Sequence, residues 1–180
     1  MIKTLQISEK EAWDLAFNAL VNNNTSEDNA KEVADALISA EFDGQAGHGL
    51  SRIPSYVEQL TAGKVKGTEA PSIISSKGSV IRVDAKNGFA YPAISLALKE
   101  ITTTCKNFGI AAASITRSHH FGQAGRHVEI LADNGLIGLM FGNTPKAIPP
   151  WGGTKALFGT NPIAFSAPRE NDAPMVIDMS

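Results

Sequence analysis

Apolar residues recur every three or four positions along the first third of the chain, which is the period of an amphipathic helix. This pattern predicts three helices, over about residues 8–20, 26–42 and 54–61. Ser8 followed by Glu11 is a capping box that starts the first helix, and Thr25 or Ser26 caps the second. The first third is therefore predicted to be a helical unit.

Beyond residue 70 the pattern changes to short apolar strands that alternate with helices. Strands are predicted at 80–84, 110–115, 136–141, 163–167 and 175–178, and helices at 92–108 and 122–134. The strand at 110–115 is almost wholly apolar, so it is expected to be more buried than the strand at 80–84. The alternation predicts an α/β fold, with residues 1–70 as a helical N-terminal domain and residues 71–180 as an α/β domain.

Length and composition favour a globular protein, because 180 residues of which 43% are hydrophobic can bury a core. A net charge of −2 and the lack of a basic run argue against nucleic acid as a partner. No apolar stretch approaches the ~20 residues of a membrane span. Cys105 is the only cysteine, which excludes an internal disulfide and favours a reducing cytoplasm. It lies among apolar neighbours in a predicted helix and is expected to be a buried structural thiol.

Two residues of complementary chemistry, His48 and Arg52, lie four positions apart in a glycine-rich segment. If a helix begins near Gly49, this spacing places both side chains on one face. The imidazole titrates near neutrality, and the guanidinium binds a carboxylate through two parallel hydrogen bonds. Such a pair suits the reduction of a carbonyl or imine beside an acid group. The alternatives are a helix-cap role for His48 and a surface ion pair of Arg52 with Asp43 or Glu58.

The chain has neither G-x-G-x-x-G after a strand nor a Walker lysine loop, which argues against an ordinary Rossmann domain but not against nicotinamide binding by another fold. The run His119-His120-Phe121-Gly122 is a predicted strand-to-helix turn, whose backbone N–H groups could bind a phosphate or carboxylate. If the segment is extended, one of its two histidines must point away from a shared site. A metal site that adds His127 is the alternative, although no Cys, Asp or Glu stands at supporting spacing.

Two loops, at residues 142–145 and 159–162, share a composition of glycine, amide, hydroxyl and proline. Either they are turns that end at proline, or their polar side chains line a pocket. Trp151, which stands between them, fits a packing corner as readily as a pocket wall.

Six stretches, in the same order and over nearly the whole chain, match the motifs of one known family. They are GHGLSRIPSY (47–56), RVDAKNGFAYPA (82–93), SHHFGQAG (118–125), PPWGG (149–153), LFGTNPIAFSAPR (157–169) and VIDMS (176–180). By these motifs the chain resembles the malate/L-lactate dehydrogenase family that lacks a Rossmann fold. Relatives in that family include sulfolactate dehydrogenase, ureidoglycolate dehydrogenase, diketogulonate reductase and Δ1-pyrroline/Δ1-piperideine-2-carboxylate reductase.

The resemblance implies a role for each matching position. His48 matches the family's proton donor, Arg52 the residue that holds the substrate carboxylate, and Thr160 a substrate-contacting threonine. Positions that match cofactor contacts are His120, Phe121, Gly122, Gln123, Ala124, Thr144, Asp178, Met179 and Ser180. In some members the residue that matches His120 is assigned as the acid/base instead.

The resemblance also implies a fold, a cofactor and partners. The fold is a helical N-terminal domain joined to a non-Rossmann α/β nucleotide-binding domain. The implied cofactor is NAD or NADP, the substrate is a small carboxylate, and the assembly is a homodimer with no bound metal. Family chains are considerably longer, so the α/β domain is expected to be truncated at the C-terminus, with further cofactor contacts beyond Ser180. The alternative is a catalytically incomplete fragment that acts only as a binding or dimerisation module.

The expected activity is hydride transfer from NADH or NADPH to C2 of a small 2-oxo acid or cyclic 2-imino acid. The stretches at 82–93, 118–121 and 157–169 favour the pyrroline/piperideine-2-carboxylate branch, and this branch is slightly preferred. Most relatives have serine where this chain has Gly47. That departure favours the malate, lactate or sulfolactate type and puts a hydroxyl relay to the adjacent imidazole in doubt.

Overall fold

A computed structural model describes residues 6–179. By its internal contacts the chain divides into two compact units, Met1–Gly122 and Gln123–Ser180. Near residue 70 the structure passes from helices to strands inside the first unit, and the contact-based division lies at Gly122. The assignment of cofactor binding to residues 71–180 stays a prediction.

Three helices open the first unit where the sequence predicts them: α1 (Glu9–Val21), α2 (Glu27–Phe42) and α3 (Ile53–Thr61). The capping box is confirmed, since Ser8 Oγ accepts from Glu11 N–H and Ser8 N–H donates to the Glu11 carboxylate at 2.8 Å. Of the two cap candidates for α2, Ser26 is the one whose hydroxyl accepts a backbone N–H, from Asn29. Local patterning was therefore sufficient to start and end these helices.

The core of the helical region contains aromatic residues that also pack around the candidate site. Leu20, Val33 and Leu37 from α1 and α2 pack with Tyr56 of α3 and with Phe89, all of them 2% exposed or less. A rigid apolar setting of this kind fixes Tyr56 in place.

A three-stranded sheet follows, in the order β1 (Ser72–Lys77), β2 (Val80–Asp84), β3 (Ala112–Thr116). β1 and β2 form an antiparallel hairpin, and β2 pairs in parallel with β3 after a crossover through α4 (Ala90–Phe108). Gly109 ends α4 in the left-handed region, with φ 76°, where glycine has no steric penalty. The strand β1 was not predicted, because half of its residues are serines and it shows no apolar alternation.

Two burial predictions in this region are wrong. β3 is an edge strand and alternates between exposed and half-buried residues. It is therefore less buried than β2, which lies between β1 and β3. Cys105 is half-buried on α4 rather than enclosed. Apolar composition alone did not reveal which strand would lie at the edge.

The second unit is a helix on an antiparallel sheet: α5 (Ala124–Asp133), β4 (Gly138–Phe141), β5 (Ile163–Arg169) and β6 (Asp172–Met179), with the strands in that order. All four elements were predicted, and the α/β class is confirmed. Ser166 of β5 anchors the sheet to the helix by donating from Oγ to the Val128 carbonyl at 2.5 Å. This face of the sheet is covered by α5.

The opposite face of this sheet is apolar and exposed. Phe141, Ile163 and Met179 form one cross-strand row on it, with exposed fractions of 70%, 40% and 56%. Nothing within residues 6–179 covers this row of apolar side chains. In the same described range, no helix is both long and apolar enough to cross a membrane.

Candidate active site

The segment that carries His48 and Arg52 consists of two 3₁₀ turns, Ala46–His48 and Leu50–Arg52, and α3 begins only at Ile53. The helix near Gly49, which was the condition for placing both side chains on one face, is present as a 3₁₀ turn that leads directly into α3. Gly49 joins the turns with ψ −143°, and any Cβ at this position would collide with the Glu41 side chain. The carboxylate of Glu41 accepts the next N–H, from Leu50, at 2.7 Å. A side chain at Gly49 would therefore displace the Glu41 carboxylate that accepts from Leu50 N–H.

From these two 3₁₀ turns, His48 and Arg52 both approach a common neighbour, His120. The His48 ring stacks on the His120 ring with centroids 5.5 Å apart and planes 10° apart. Burial, followed by smaller effects of the charges of Arg52, His48 and His119, lowers the pKa of His120 to about 3. The structure therefore brings together three residues that the sequence places in two separate segments.

Arg52 is held by its Nε, which donates to the Gly47 carbonyl at 2.5 Å. Within the described part of the chain, Arg52 forms no ion pair with Glu58. Among the described residues, the terminal nitrogens of the guanidinium make no hydrogen bond.

Two tyrosines that sequence reasoning did not assign complete the cluster. Tyr56 Oη lies 2.7 Å from His120 Nδ1 and 2.9 Å from Tyr91 Oη, and both tyrosines are buried. Burial, more than the neighbouring Tyr91, raises the pKa of Tyr56 above its usual value of about 10, so its hydroxyl stays protonated. The sequence contains one indication of this role for Tyr56, because the residue continues the spacing of four from His48 and Arg52.

The adjacent histidine, His119, points elsewhere, as an extended segment requires. Its Nε2 lies 2.9 Å from Gln59 Oε1, and its ring packs edge-on to Tyr56 with centroids 5.1 Å apart. Burial, with a smaller effect of Lys64, lowers its pKa to about 4. His119 therefore contacts Gln59 and the Tyr56 ring, whereas the ring of His120 stacks on that of His48.

An ion pair at the ends of two strands holds the turn that carries both histidines. Asp84, at the end of β2, accepts from Arg117 Nε at 2.9 Å and from a second guanidinium nitrogen, and it also accepts the Lys86 N–H at 2.9 Å. Arg117 follows β3 with φ 54°. The hydrogen bonds from Arg117, followed by that from the Lys86 backbone, lower the pKa of Asp84 to about 2.

We expect Asp84→Asn to lower the melting temperature at pH 7, because the variant loses the ionic partner of Arg117. The pKa of Asp84 is about 2 in the folded chain and that of an unfolded aspartate is about 4. Stabilisation by the ion pair is therefore complete above about pH 4 and is lost as the pH falls towards about 2. Thermal melts at several pH values should show the difference between wild type and variant shrinking over that window.

The matched control is Asp14→Asn, which removes an exposed i,i+4 pair with Lys10 on α1. Exposed pairs of this kind contribute about 0–1 kcal/mol. Equal shifts of melting temperature in both variants would contradict a special role for Asp84.

Past His120 the chain makes a close turn into α5. Phe121 is half-buried, with its ring centroid 6.2 Å from that of His120. Gly122 has φ 68°, and a Cβ there would lie 2.6 Å from Tyr91 Oη, so only glycine fits. Gln123 is the N-cap residue of α5, and Ala124 is its first, buried residue.

In the second unit, the N-terminus of α5 binds an anion of its own chain. Gly125 N–H donates to Asp178 Oδ2 at 2.7 Å, as expected of a carboxylate at the positive end of a helix. The other oxygen, Asp178 Oδ1, is buried and has no hydrogen-bond partner within residues 6–179. Met179 beside it is exposed, and Ser180 lies outside the described residues.

The two similar loops lie side by side. Thr144 N–H donates to Asn161 Oδ1 at 3.1 Å, and Asn161 N–H donates back to Thr144 Oγ1 at 3.3 Å. Thr144 Oγ1 and Thr160 Oγ1 are 3.3 Å apart, which makes a small hydroxyl cluster. Trp151 is fully exposed, so the packing-corner interpretation is wrong. Among residues 6–179, no three His, Cys, Asp or Glu side chains are placed to hold a metal ion.

Comparison with known proteins gives a consistent result. A family model described as malate/L-lactate dehydrogenase matches residues 7–180. The (2R)-3-sulfolactate dehydrogenase (NADP(+)) of Chromohalobacter salexigens is 47% identical over 97% of this chain and 52% of its own length. The Δ1-pyrroline-2-carboxylate/Δ1-piperideine-2-carboxylate reductase of Pseudomonas syringae pv. tomato is 37% identical over 98% of this chain and 52% of its own.

Solved structures agree. The Δ1-piperideine-2-carboxylate reductase of Pseudomonas syringae pv. tomato superposes with a TM-score of 0.91 at 38% identity, covering 98% of this chain and 53% of that one. Sulfolactate dehydrogenase of Methanocaldococcus jannaschii has a TM-score of 0.91 at 26% identity, over 98% of this chain and 51% of that one. The chain spans about half the length of the curated relatives it matches.

Proposed function

The chain belongs to the malate/L-lactate dehydrogenase family, and from this premise we propose that the protein is an oxidoreductase. It transfers a hydride between NADH or NADPH and C2 of a small 2-oxo or cyclic 2-imino acid. The observation that carries the proposal is the cluster of His48, His120 and Arg52, which combines a proton-transfer group with a guanidinium whose Nε is held by the backbone.

Arg52 binds the substrate carboxylate. Its Nε is already held by Gly47, which orients the planar fork, and its terminal nitrogens are left to donate to two carboxylate oxygens. A carboxylate held in this way places the neighbouring C2 at a defined position. Positioning of this kind can supply several kcal/mol of the barrier, up to about 7–11 in well-oriented systems.

His48 donates the proton to the oxygen or nitrogen at C2 as that atom gains electron density. General acid catalysis contributes about 10²–10⁴-fold. Gly47 has no hydroxyl, so no side chain at that position relays a proton to the imidazole. The stacked His120 ring fixes the position of His48.

One observation in the second unit supports binding of a nicotinamide cofactor. Asp178 Oδ1 is buried and has no hydrogen-bond partner within residues 6–179, so it can accept from a hydroxyl or amide of a ligand. When bound, the cofactor supplies the hydride. Residues that would hold it are Asp178, Met179, Ser180 and Thr144, together with the turn His120–Ala124. Thr160 contacts the substrate, and its hydroxyl lies in the cluster with Thr144.

The substrate is proposed from two kinds of relative. The sulfolactate dehydrogenase at 47% identity supports a 2-hydroxy acid with a second acidic group, whereas the reductases at 37% and 40% identity support a cyclic imino acid. All of these carry a carboxylate beside C2, which is the group that Arg52 recognises. The sulfolactate dehydrogenase is named with NADP(+), which supports a nicotinamide cofactor, NADP or NAD, for this chain.

The test is an assay of the protein from its complete open reading frame, with NADH and NADPH and a panel of 3-sulfopyruvate, oxaloacetate, pyruvate, Δ1-pyrroline-2-carboxylate and Δ1-piperideine-2-carboxylate. We expect cofactor oxidation with at least one of these acids and none with the corresponding amides or esters, because these lack the charged carboxylate. A folded protein that binds the cofactor but oxidises it with no member of the panel would refute the proposal. Light scattering in the same buffer tests the proposed homodimer.

A further inference from the structure

We propose that Tyr56 and Tyr91 form a hydrogen-bonded relay that fixes His120 as its Nε2-protonated tautomer, so that the ring presents an N–H to a bound ligand. Tyr56 and Tyr91 are thus positioning residues, acting through His120. The tautomer follows from the hydrogen-bond geometry together with the neutral state of the ring, and its use in the reaction rests on the proposed function.

The relay is sealed from water. Tyr56 is 1% and Tyr91 2% exposed, and Tyr56 Oη is bonded to both His120 Nδ1 and Tyr91 Oη. The ring of Tyr56 is fixed by Phe89, at a centroid distance of 5.5 Å. Gly122 leaves room for the Tyr91 hydroxyl where any side chain would meet it at 2.6 Å. Buried hydroxyls in such a setting require hydrogen-bond partners, and the two tyrosine hydroxyls are partners of one another.

The direction of the hydrogen bonds follows from relative basicity. A phenol has a single hydrogen, so either Tyr56 donates to His120 Nδ1 or it accepts from it. An unprotonated imidazole nitrogen, whose conjugate acid has a pKa of about 6.5, is a much stronger acceptor than a neutral phenol oxygen. Donation from Tyr91 to Tyr56 polarises the Tyr56 O–H further in the same direction. Nδ1 is therefore the acceptor, and the proton of the neutral ring is on Nε2.

The charge state supports this arrangement. The groups around His120 are Tyr56, His48, His119, Phe121 and Arg52. Burial and the nearby cationic groups lower the pKa of His120 to about 3, so the ring is neutral at pH 7. No residue of the described chain bonds to Nε2, and that atom is not among the buried unpartnered ones. It is therefore free to donate to a ligand oxygen as a neutral imidazole.

His119 serves as an internal reference. Its Nε2 lies 2.9 Å from Gln59 Oε1, and the Gln59 amide nitrogen donates to Ser55 Oγ at 3.0 Å. An amide oxygen only accepts, so His119 is also protonated on Nε2. The two histidines thus share a tautomer for independent reasons.

The experiment is a long-range ¹H–¹⁵N correlation on the full-length protein carrying ¹⁵N-histidine, with Tyr56→Phe, Tyr91→Phe and Gln59→Leu as variants. In the wild type we expect His120 Nδ1 at the shift of an unprotonated nitrogen and Nε2 at that of a protonated one. Tyr56→Phe keeps the ring and removes the hydroxyl, so both His120 nitrogens should move towards the average of the two tautomers. Tyr91→Phe should give a smaller movement in the same direction, and Gln59→Leu should move the His119 signals alone.

A protonated Nδ1 in the wild type, or unchanged His120 shifts in Tyr56→Phe, would overturn the inference. Steady-state kinetics then test its use: we expect Tyr56→Phe to lower kcat about 10- to 100-fold, as loss of a group that orients a site residue does elsewhere, with KM nearly unchanged. An unchanged kcat would overturn the positioning role in the reaction. Because the nitrogen shifts need no turnover, a protein with the expected tautomer and no activity would count against the proposed function and not against the relay.

Discussion

Replacing His48 by Gln is expected to lower kcat by about 10²–10⁴-fold, with little change in KM, because the variant loses the proton donor but not the carboxylate site. Gln is close to His in size and still donates a hydrogen bond, so the fold around it should be kept. The His48 ring packs on His120 at 5.5 Å, and a melting curve will show whether loss of this stack costs stability. The measurement is steady-state cofactor oxidation across pH.

The matched comparison is His120→Gln, since some relatives assign the acid/base role to the residue at that position. His120 is neutral at pH 7, because its pKa is lowered to about 3, so it cannot act there as an imidazolium donor. We therefore expect the larger loss of kcat from His48→Gln. If His120→Gln abolishes turnover while His48→Gln stays within about fivefold of wild type, the acid must be reassigned to His120.

Replacing Arg52 by Met should have the second large effect, a decrease in kcat/KM of about 10²–10³-fold that raises KM and, because the held carboxylate also positions C2, lowers kcat. The substitution removes two charge-assisted hydrogen bonds to the carboxylate, together about 3–4 kcal/mol, and 1.4 kcal/mol corresponds to a factor of ten. Arg52→Lys should recover only part of the loss, because an ammonium group cannot bind both carboxylate oxygens through a planar fork. Substrate-saturation curves for both variants give the measurement.

Arg82→Met is the matched control, since Arg82 is an exposed residue of β2 in the same unit. It should change KM by less than about twofold, because surface substitutions away from a site are usually within about 0.5 kcal/mol. Equal changes from Arg52→Met and Arg82→Met would show that the guanidinium of Arg52 does not bind the substrate. The proposal for the carboxylate site would then fail, although the tautomer of His120 would be unaffected.

Much of the candidate site could be inferred from residue types and spacing. The sequence indicates His48, Arg52 and the turn at His120 as candidates, and in the structure His48 and Arg52 both lie near His120. The spacing of His48 and Arg52 suggests a helix near Gly49, and in the structure two 3₁₀ turns carry the pair. What could not be inferred is Tyr56 bonded to His120, because the two are 64 positions apart and no local pattern links them.

Local interactions along the chain determined where helices and turns begin and end. The Ser8 capping box, the Ser26 cap and the left-handed Gly109 act within a few residues, so their outcome is already contained in the amino-acid sequence. Only the tertiary structure decided that β3 lies at a sheet edge, that Asp178 occupies the N-terminus of α5, and that a tyrosine pair fixes His120. These outcomes depend on which distant surfaces pack together and on which buried polar atoms must then find partners, and neither is a property of a short stretch of sequence.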